Sequence, residues 1–209
     1  MKKRLIFDVD DTLIPWDKKY YLNLKRLLDQ NNIKLGWLRF YKTLKAIQNY
    51  EHTHECWDMV EFKECISKVA KIDMDDTKVE LFFKWLEDCV IGEASKDLHD
   101  TLKYLSEKYE LVILSNSFKK SQVKRLEKYG IKKYFKEIFC GDEVMKPSHK
   151  AYLRACGKYK LIECIMIGDN LEFDVIEPSK LGIEPIYVNE KKHKNYLTIK
   201  DVCELKEIL

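Results

Sequence analysis

Polar residues gather wherever a short apolar run of this chain ends. Arg4 to Val9 runs into Asp8-Val9-Asp10-Asp11-Thr12-Leu13, and Leu111 to Leu114 runs into Ser115-Asn116-Ser117. Cys164 to Ile167 leads to Gly168-Asp169-Asn170 with Asp174 beyond, and Lys146-Pro147 stands ahead of a helical pattern. Asp8 and Asp10 lie two apart, so in an extended segment their side chains point to the same side. Asp10 can therefore reach a leaving group that Asp8 expels. Three carboxylates drawn together, Asp8, Asp10 and Asp169, repel one another unless a hard cation lies among them. An all-oxygen ligand set suits Mg²⁺, which binds through one or two carboxylates, water and a phosphate. Ser115 and Lys146 are hydrogen-bond donors to an anion, and the lysine offsets charge on a group in transfer. Phosphate monoester hydrolysis uses both kinds of help, because its enzymes must supply accelerations on the order of 10²¹.

Such residues need a scaffold that brings strand ends together. Apolar runs at Arg4 to Val9, Leu111 to Leu114, Glu137 to Cys140, Cys164 to Ile167 and Pro185 to Val188 read as buried strands. Between the later runs lie helical patterns, several closed by a glycine: Gly130, Gly157 and Gly182. Regular alternation of strand and helix predicts a parallel sheet covered on both faces, whose ligands bind at the strand carboxyl ends. Residues 16–94 break the alternation with four helical patterns and no strand. The last pattern is expected to start at a capping box, Thr77 and Glu80. Trp37, Trp57 and Trp85 lie inside this segment and are expected in its core.

Composition limits the function. The chain has 209 residues, 45% of them apolar, and its 38 Lys and Arg nearly cancel 35 Asp and Glu. A net charge of +3 is far from the basic excess of a nucleic-acid binder, so no nucleic-acid partner is expected. Seven cysteines form no CxxC pair, which supports neither a zinc site nor a disulfide framework. The basic start Met1-Lys2-Lys3-Arg4 is followed by apolar residues only from Leu5 to Phe7, too few for a secretory core, and no window approaches a membrane span. A cytoplasmic location without a membrane partner is the expectation; oligomeric state is silent.

Asp-x-Asp-x-Thr, a strand ending in Ser115, Lys146-Pro147 and Gly168-Asp169 followed by Asp174, in that order, resemble the haloacid dehalogenase superfamily of phosphohydrolases. The resemblance implies a doubly wound, Rossmann-like α/β core at 1–15 and 95–209, with an all-helical cap inserted at 16–94. It implies Asp8 as the nucleophile that takes the phosphoryl group and Asp10 as the acid and base. Asp169 would hold Mg²⁺ with Asp8 and the Asp10 carbonyl. Ser115 and Asn116 would bind the phosphate, Lys146 would screen it, and Asp174 would steady the lysine and the metal shell. The implied substrate is a small phosphorylated metabolite: a sugar phosphate, a nucleotide or a phosphoglycolate-like ester.

Three positions depart from the family pattern: Asp11 replaces a frequent Gly, His149 a frequent Pro, and Pro178 a typical Ala. The loop from Gly141 to Met145 is also short, which leaves the placement of Lys146 open. Haloacid dehalogenation is disfavoured, since it needs neither a metal nor a second aspartate. A phosphomutase is an alternative, as is a phosphonate hydrolase, which needs a cap lysine such as Lys18, Lys42 or Lys45. A phospho-accepting signalling receiver is disfavoured because the insert defeats its register. Trp16, Lys18, Arg39 and Tyr41 are candidates to face the cleft, whereas His52 and His54 are expected at the surface.

Overall fold

A computed structural model describes residues 3–209, so Met1 and Lys2 of the basic start lie outside it. The chain opens with β1 (Arg4–Phe7) and then runs through four helices, α1 (Lys19–Gln30), α2 (Trp37–Thr53), α3 (Met59–Ala70) and α4 (Asp76–Asp88). Alternation then begins: α5 (Lys96–Lys108), β2 (Glu110–Leu114), α6 (Lys119–Lys128), β3 (Glu137–Phe139), α7 (His149–Cys156) and β4 (Cys164–Gly168). A π-helical turn (Leu171–Ile176) leads into α8 (Glu177–Lys180), followed by β5 (Glu184–Val188), β6 (Thr198–Ile199) and α9 (Leu205–Ile208).

The six strands form one parallel sheet in the order β3-β2-β1-β4-β5-β6. Strand order reverses at β1, which has β2 on one side and β4 on the other, with Ile6 facing both Val112 and Met166. The three strands whose ends carry Asp8, Ser115 and Asp169 are therefore neighbours. Pleating splits the sheet's apolar residues between two cores. Leu5 and Phe7 pack with Leu98, Leu102 and Leu126 on one face, and Ile6 packs with Tyr152 and Met166 on the other. β6 has no counterpart in the sequence expectation, because two residues are too few to show a period.

Helices α1 to α4 enclose their own core around Leu24, Tyr50, Trp57, Phe62 and Trp85, which extends to Phe118 and Met145 of the sheet unit. The two parts are tied by main-chain bonds from Trp57 N to the Gly141 carbonyl (2.9 Å) and from Met145 N to that of Glu55 (2.7 Å). Lys120 and Lys124, one turn apart on α6, pair with Glu80 and Glu87 of α4, each at 2.8 Å.

Two expectations about the insert are corrected. Helix α4 is capped by Asp75, which accepts from Lys78 N, two residues before the cap expected at Thr77 with Glu80. Trp57 and Trp85 are buried but Trp37 is 63% exposed. It sits in the first turn of α2, edge-on to Phe40 and under the Lys25 ammonium, while the buried stripe of that helix runs through Phe40, Thr43 and Tyr50. Phe62→Ala is accordingly expected to destabilise by about 3–5 kcal/mol, and Trp37→Ala by about 1 kcal/mol or less, in urea unfolding. Among the described residues no helix is long and apolar enough to cross a membrane.

Candidate active site

β1 delivers Asp8 just past its last residue, where the Asp8 amide still donates to the Ile167 carbonyl (2.9 Å). The chain then turns sharply. Asp11 takes a left-handed conformation (φ 56°), which an aspartate tolerates better than most residues and which accounts for a glycine being frequent there. Its carboxylate accepts from Trp16 N (2.8 Å). Asp10 is thereby presented toward the same cleft as Asp8.

Lys146 is buried, and its Nζ donates to Asp8 Oδ1 (2.7 Å) and Asp174 Oδ1 (2.6 Å). Two reciprocal bonds fix its backbone: Lys146 N donates to Asn116 Oδ1 (2.7 Å) and Asn116 Nδ2 donates to the Lys146 carbonyl (2.9 Å). The short loop from Gly141 thus reaches the site because Asn116 clamps its end. Asp174 comes from the π-helical turn, where its second oxygen accepts from Asn170 N (3.1 Å). A Cβ on Gly168 would overlap this carboxylate, so only glycine fits there.

The carboxylates that converge are Asp8, Asp169 and Asp174, whose oxygens lie within 4.8 Å of one another. The sequence expectation placed the Asp10 carboxylate in that cluster. It is half-buried and turned instead to Arg125 Nη2 (2.6 Å) and Gln122 Nε2 (3.1 Å), away from the three that converge. Gln122 Nε2 also donates to Ser115 Oγ (2.8 Å), and Arg125 Nη1 donates to Gln122 Oε1 (2.8 Å). Arg125 is fully buried. One face of α6 therefore ties the acid at 10 to the hydroxyl at 115.

Burial is the largest influence on Asp8 and raises its carboxyl pKa, against the pull of Lys146. Burial, then repulsion from Asp174, pushes Asp169 up to about 6. It accepts a hydrogen bond from the Thr12 hydroxyl at 3.3 Å, which carries no charge. Lys146 is raised further above its usual value, since its two carboxylates outweigh desolvation. An all-carboxylate group with one lysine already shared between two members fits a hard divalent cation such as Mg²⁺.

The insert closes the other side of a cleft of about 430 Å³, contributing Trp16, Tyr21, Gln48, Glu51, His52 and Leu86. Of the four residues expected to face it, Trp16 does, and Lys18, Arg39 and Tyr41 are absent from its lining. His52 is exposed but stands at the cleft wall with its ring 5.1 Å from Phe173. His54 stacks on Tyr50 instead (3.7 Å). Sequence reasoning missed Glu51, Gln122 and Arg125, which look like ordinary solvated polar residues on amphipathic helices. Burial, then the nearby Asp10, pushes Glu51 up to about 7.

Residues 2–178 match the family model described as haloacid dehalogenase-like hydrolase. A magnesium-bound crystal structure of the HAD-hydrolase YfnB from Bacillus subtilis is 22% identical, covers 100% of this chain and 98% of that one, and superposes with a TM-score of 0.77. Pyrimidine 5'-nucleotidase PynA of Streptococcus pneumoniae is 23% identical over 97% of this chain and 90% of its own length. Glyceraldehyde 3-phosphate phosphatase of Methanothermobacter thermautotrophicus is 24% identical over the full length of both.

Proposed function

Because the chain belongs to the haloacid dehalogenase-like hydrolases, we propose that it is a Mg²⁺-dependent phosphatase that hydrolyses a small phosphorylated metabolite through an aspartyl-phosphate on Asp8. The observation that carries the reading is Lys146 bridging Asp8 and Asp174 beside Asp169 at the switch point of the sheet. Phosphatase names among relatives of full-length similarity support it.

An Asp8 oxygen attacks phosphorus and the ester P–O bond breaks, while Asp10 gives a proton to the departing oxygen. Asp10 then takes a proton from the water that attacks phosphorus, and inorganic phosphate leaves with Asp8 restored. Ser115 and the Asn116 amide hold the phosphoryl oxygens, and Lys146 offsets their charge. Asp8, Asp169 and the Asp10 carbonyl would hold Mg²⁺, with Asp174 beside them, and the ion would supply charge neutralisation for the transferring group. Residues 16–94 act as a cap over the core at 1–15 and 95–209, excluding water during transfer and limiting the substrate to small esters. Lys18, Lys42 and Lys45 do not line the cleft, which leaves phosphonate hydrolysis without its lysine.

A panel of small phosphate monoesters tests the reading. Phosphate release is expected only with a divalent ion present, and release that needs no metal would overturn it. Metal binding should carry a pH signature. Asp169 must lose its proton to act as a ligand, and its value of about 6 means that protonation competes as pH falls. Mg²⁺ affinity of the substrate-free protein is expected to weaken about tenfold between pH 8 and pH 5 in titration calorimetry. Affinity that does not change over that range contradicts Asp169 as a ligand.

A further inference from the structure

The charged groups lining the cleft pair off with three exceptions, of which Asp11 accepts from the Trp16 amide. Lys146 is committed to Asp8 and Asp174, and Arg125 to Asp10. Asp169 belongs to the converging carboxylates that fit Mg²⁺. Glu51, on the insert side, has no hydrogen bond or ion pair among the described residues. It is repelled by Asp10 and only weakly drawn to Lys146. The hydroxyl of Tyr21 is already held by Gln48 and Trp16, and the His52 ring lies against Phe173.

Glu51 lines both the cleft and a side chamber of about 100 Å³, walled by Trp16, Tyr21, Trp85 and Phe82. The rings of Trp16 and Tyr21 lie 5.9 Å apart. A carboxylate without a partner beside aromatic faces has two physical complements, a proton or a cation. Six carboxylates line the cleft against Lys146, Arg125 and the two charges of Mg²⁺, so a substrate bringing only phosphate adds to an acidic surplus. An ammonium on the same molecule relieves it. The chamber is also smaller than the roughly 150 Å³ that admits a benzene ring, but it has room for an ammonium and its methylenes.

The geometry points to Glu51, with the rings of Trp16 and Tyr21, as the subsite for an amino group on the leaving portion of the substrate, making aminoalkyl phosphates the preferred esters. This assignment rests on the phosphatase reading. Glu51 is a specificity residue here: it grips the part of the ester that departs and leaves the phosphoryl transfer to Asp8 and Asp10.

The test compares kcat/KM for matched aminoalkyl and hydroxyalkyl phosphates, with chains from ethyl to pentyl, in the wild type and in Glu51→Gln. The ratio within a matched pair does not depend on how much of a preparation is folded. In the wild type at least one amino ester is expected to exceed its hydroxyl partner about tenfold or more, as a charge-assisted hydrogen bond allows. Glu51→Gln should bring that ratio down by about the same factor, mainly through KM. Equal turnover within every wild-type pair, or a ratio unchanged in Glu51→Gln, overturns the assignment. The generic ester p-nitrophenyl phosphate separates the two readings. If the wild type hydrolyses it without preferring amines, only the amino subsite fails; if it hydrolyses neither this ester nor any pair, the phosphatase reading fails first.

Discussion

Asp8→Asn is expected to lower phosphate release by about 10⁴-fold or more at saturating substrate, while the protein stays folded. The amide keeps the shape of the carboxylate but offers no anionic oxygen to attack phosphorus. The loss should fall on kcat, because the proposed phosphate ligands Ser115, Asn116 and Lys146 are all retained. Substitution also removes a buried carboxylate whose ionised form is opposed by burial and by Asp174, Asp169 and Asp10. Stability should therefore change little, with Lys146 retaining Asp174 at 2.6 Å. A variant that keeps a hundredth of wild-type turnover would remove Asp8 from the nucleophile's place.

Lys146→Met has the second largest expected effect, and it strikes stability as well as turnover. The buried ammonium is the one partner that Asp8 and Asp174 share. Without it, in the metal-free protein, two carboxylates stand in the interior with no compensating charge, and breaking a buried pair in this way costs about 3–5 kcal/mol. In a chain of this size that lowers Tm by about 10 °C. The sign of the pH dependence follows from the orphaned acids. Their penalty is present in full where they are ionised and shrinks as falling pH protonates them, so the gap in Tm between variant and wild type should narrow from pH 8 toward pH 5. A gap that widens on acidification would contradict the bridging role. Turnover should fall by at least about 10²-fold, the effect of losing one preorganised donor at a developing charge.

The strand-end residues were legible because buried parallel strands read as unbroken apolar runs, so the first polar residue after each run marks where the sheet presents chemistry. Asp8, Ser115 and Asp169 were found in this way, and the register of β1 with β2 and β4 places them on adjacent strands. Lys146 was harder, since its position depends on the two bonds with Asn116 rather than on a strand. Arg125 and Gln122 could not be read at all. On α6 the sequence shows Val123, Leu126 and Tyr129 as the apolar stripe, yet Ser121, Gln122 and Arg125 are buried as well. Their partners, Asp10 and Ser115, come from other parts of the chain. Glu51 is similar: its burial exists only once α2 lies over the strand ends. Trp37 erred in the opposite direction, because an aromatic residue at helical spacing is exposed when its turn lies at the end of a helix.

Covalent transfer to Asp8 is the central claim, and acid quenching during steady turnover of p-nitrophenyl phosphate with Mg²⁺ tests it most directly. Peptide mapping by mass spectrometry is expected to find the phosphoryl group on the Asp8 peptide of the wild type and nowhere in Asp8→Asn. An unmodified Asp8 peptide in enzyme quenched while hydrolysing the ester, or phosphate release that persists in Asp8→Asn, would contradict it.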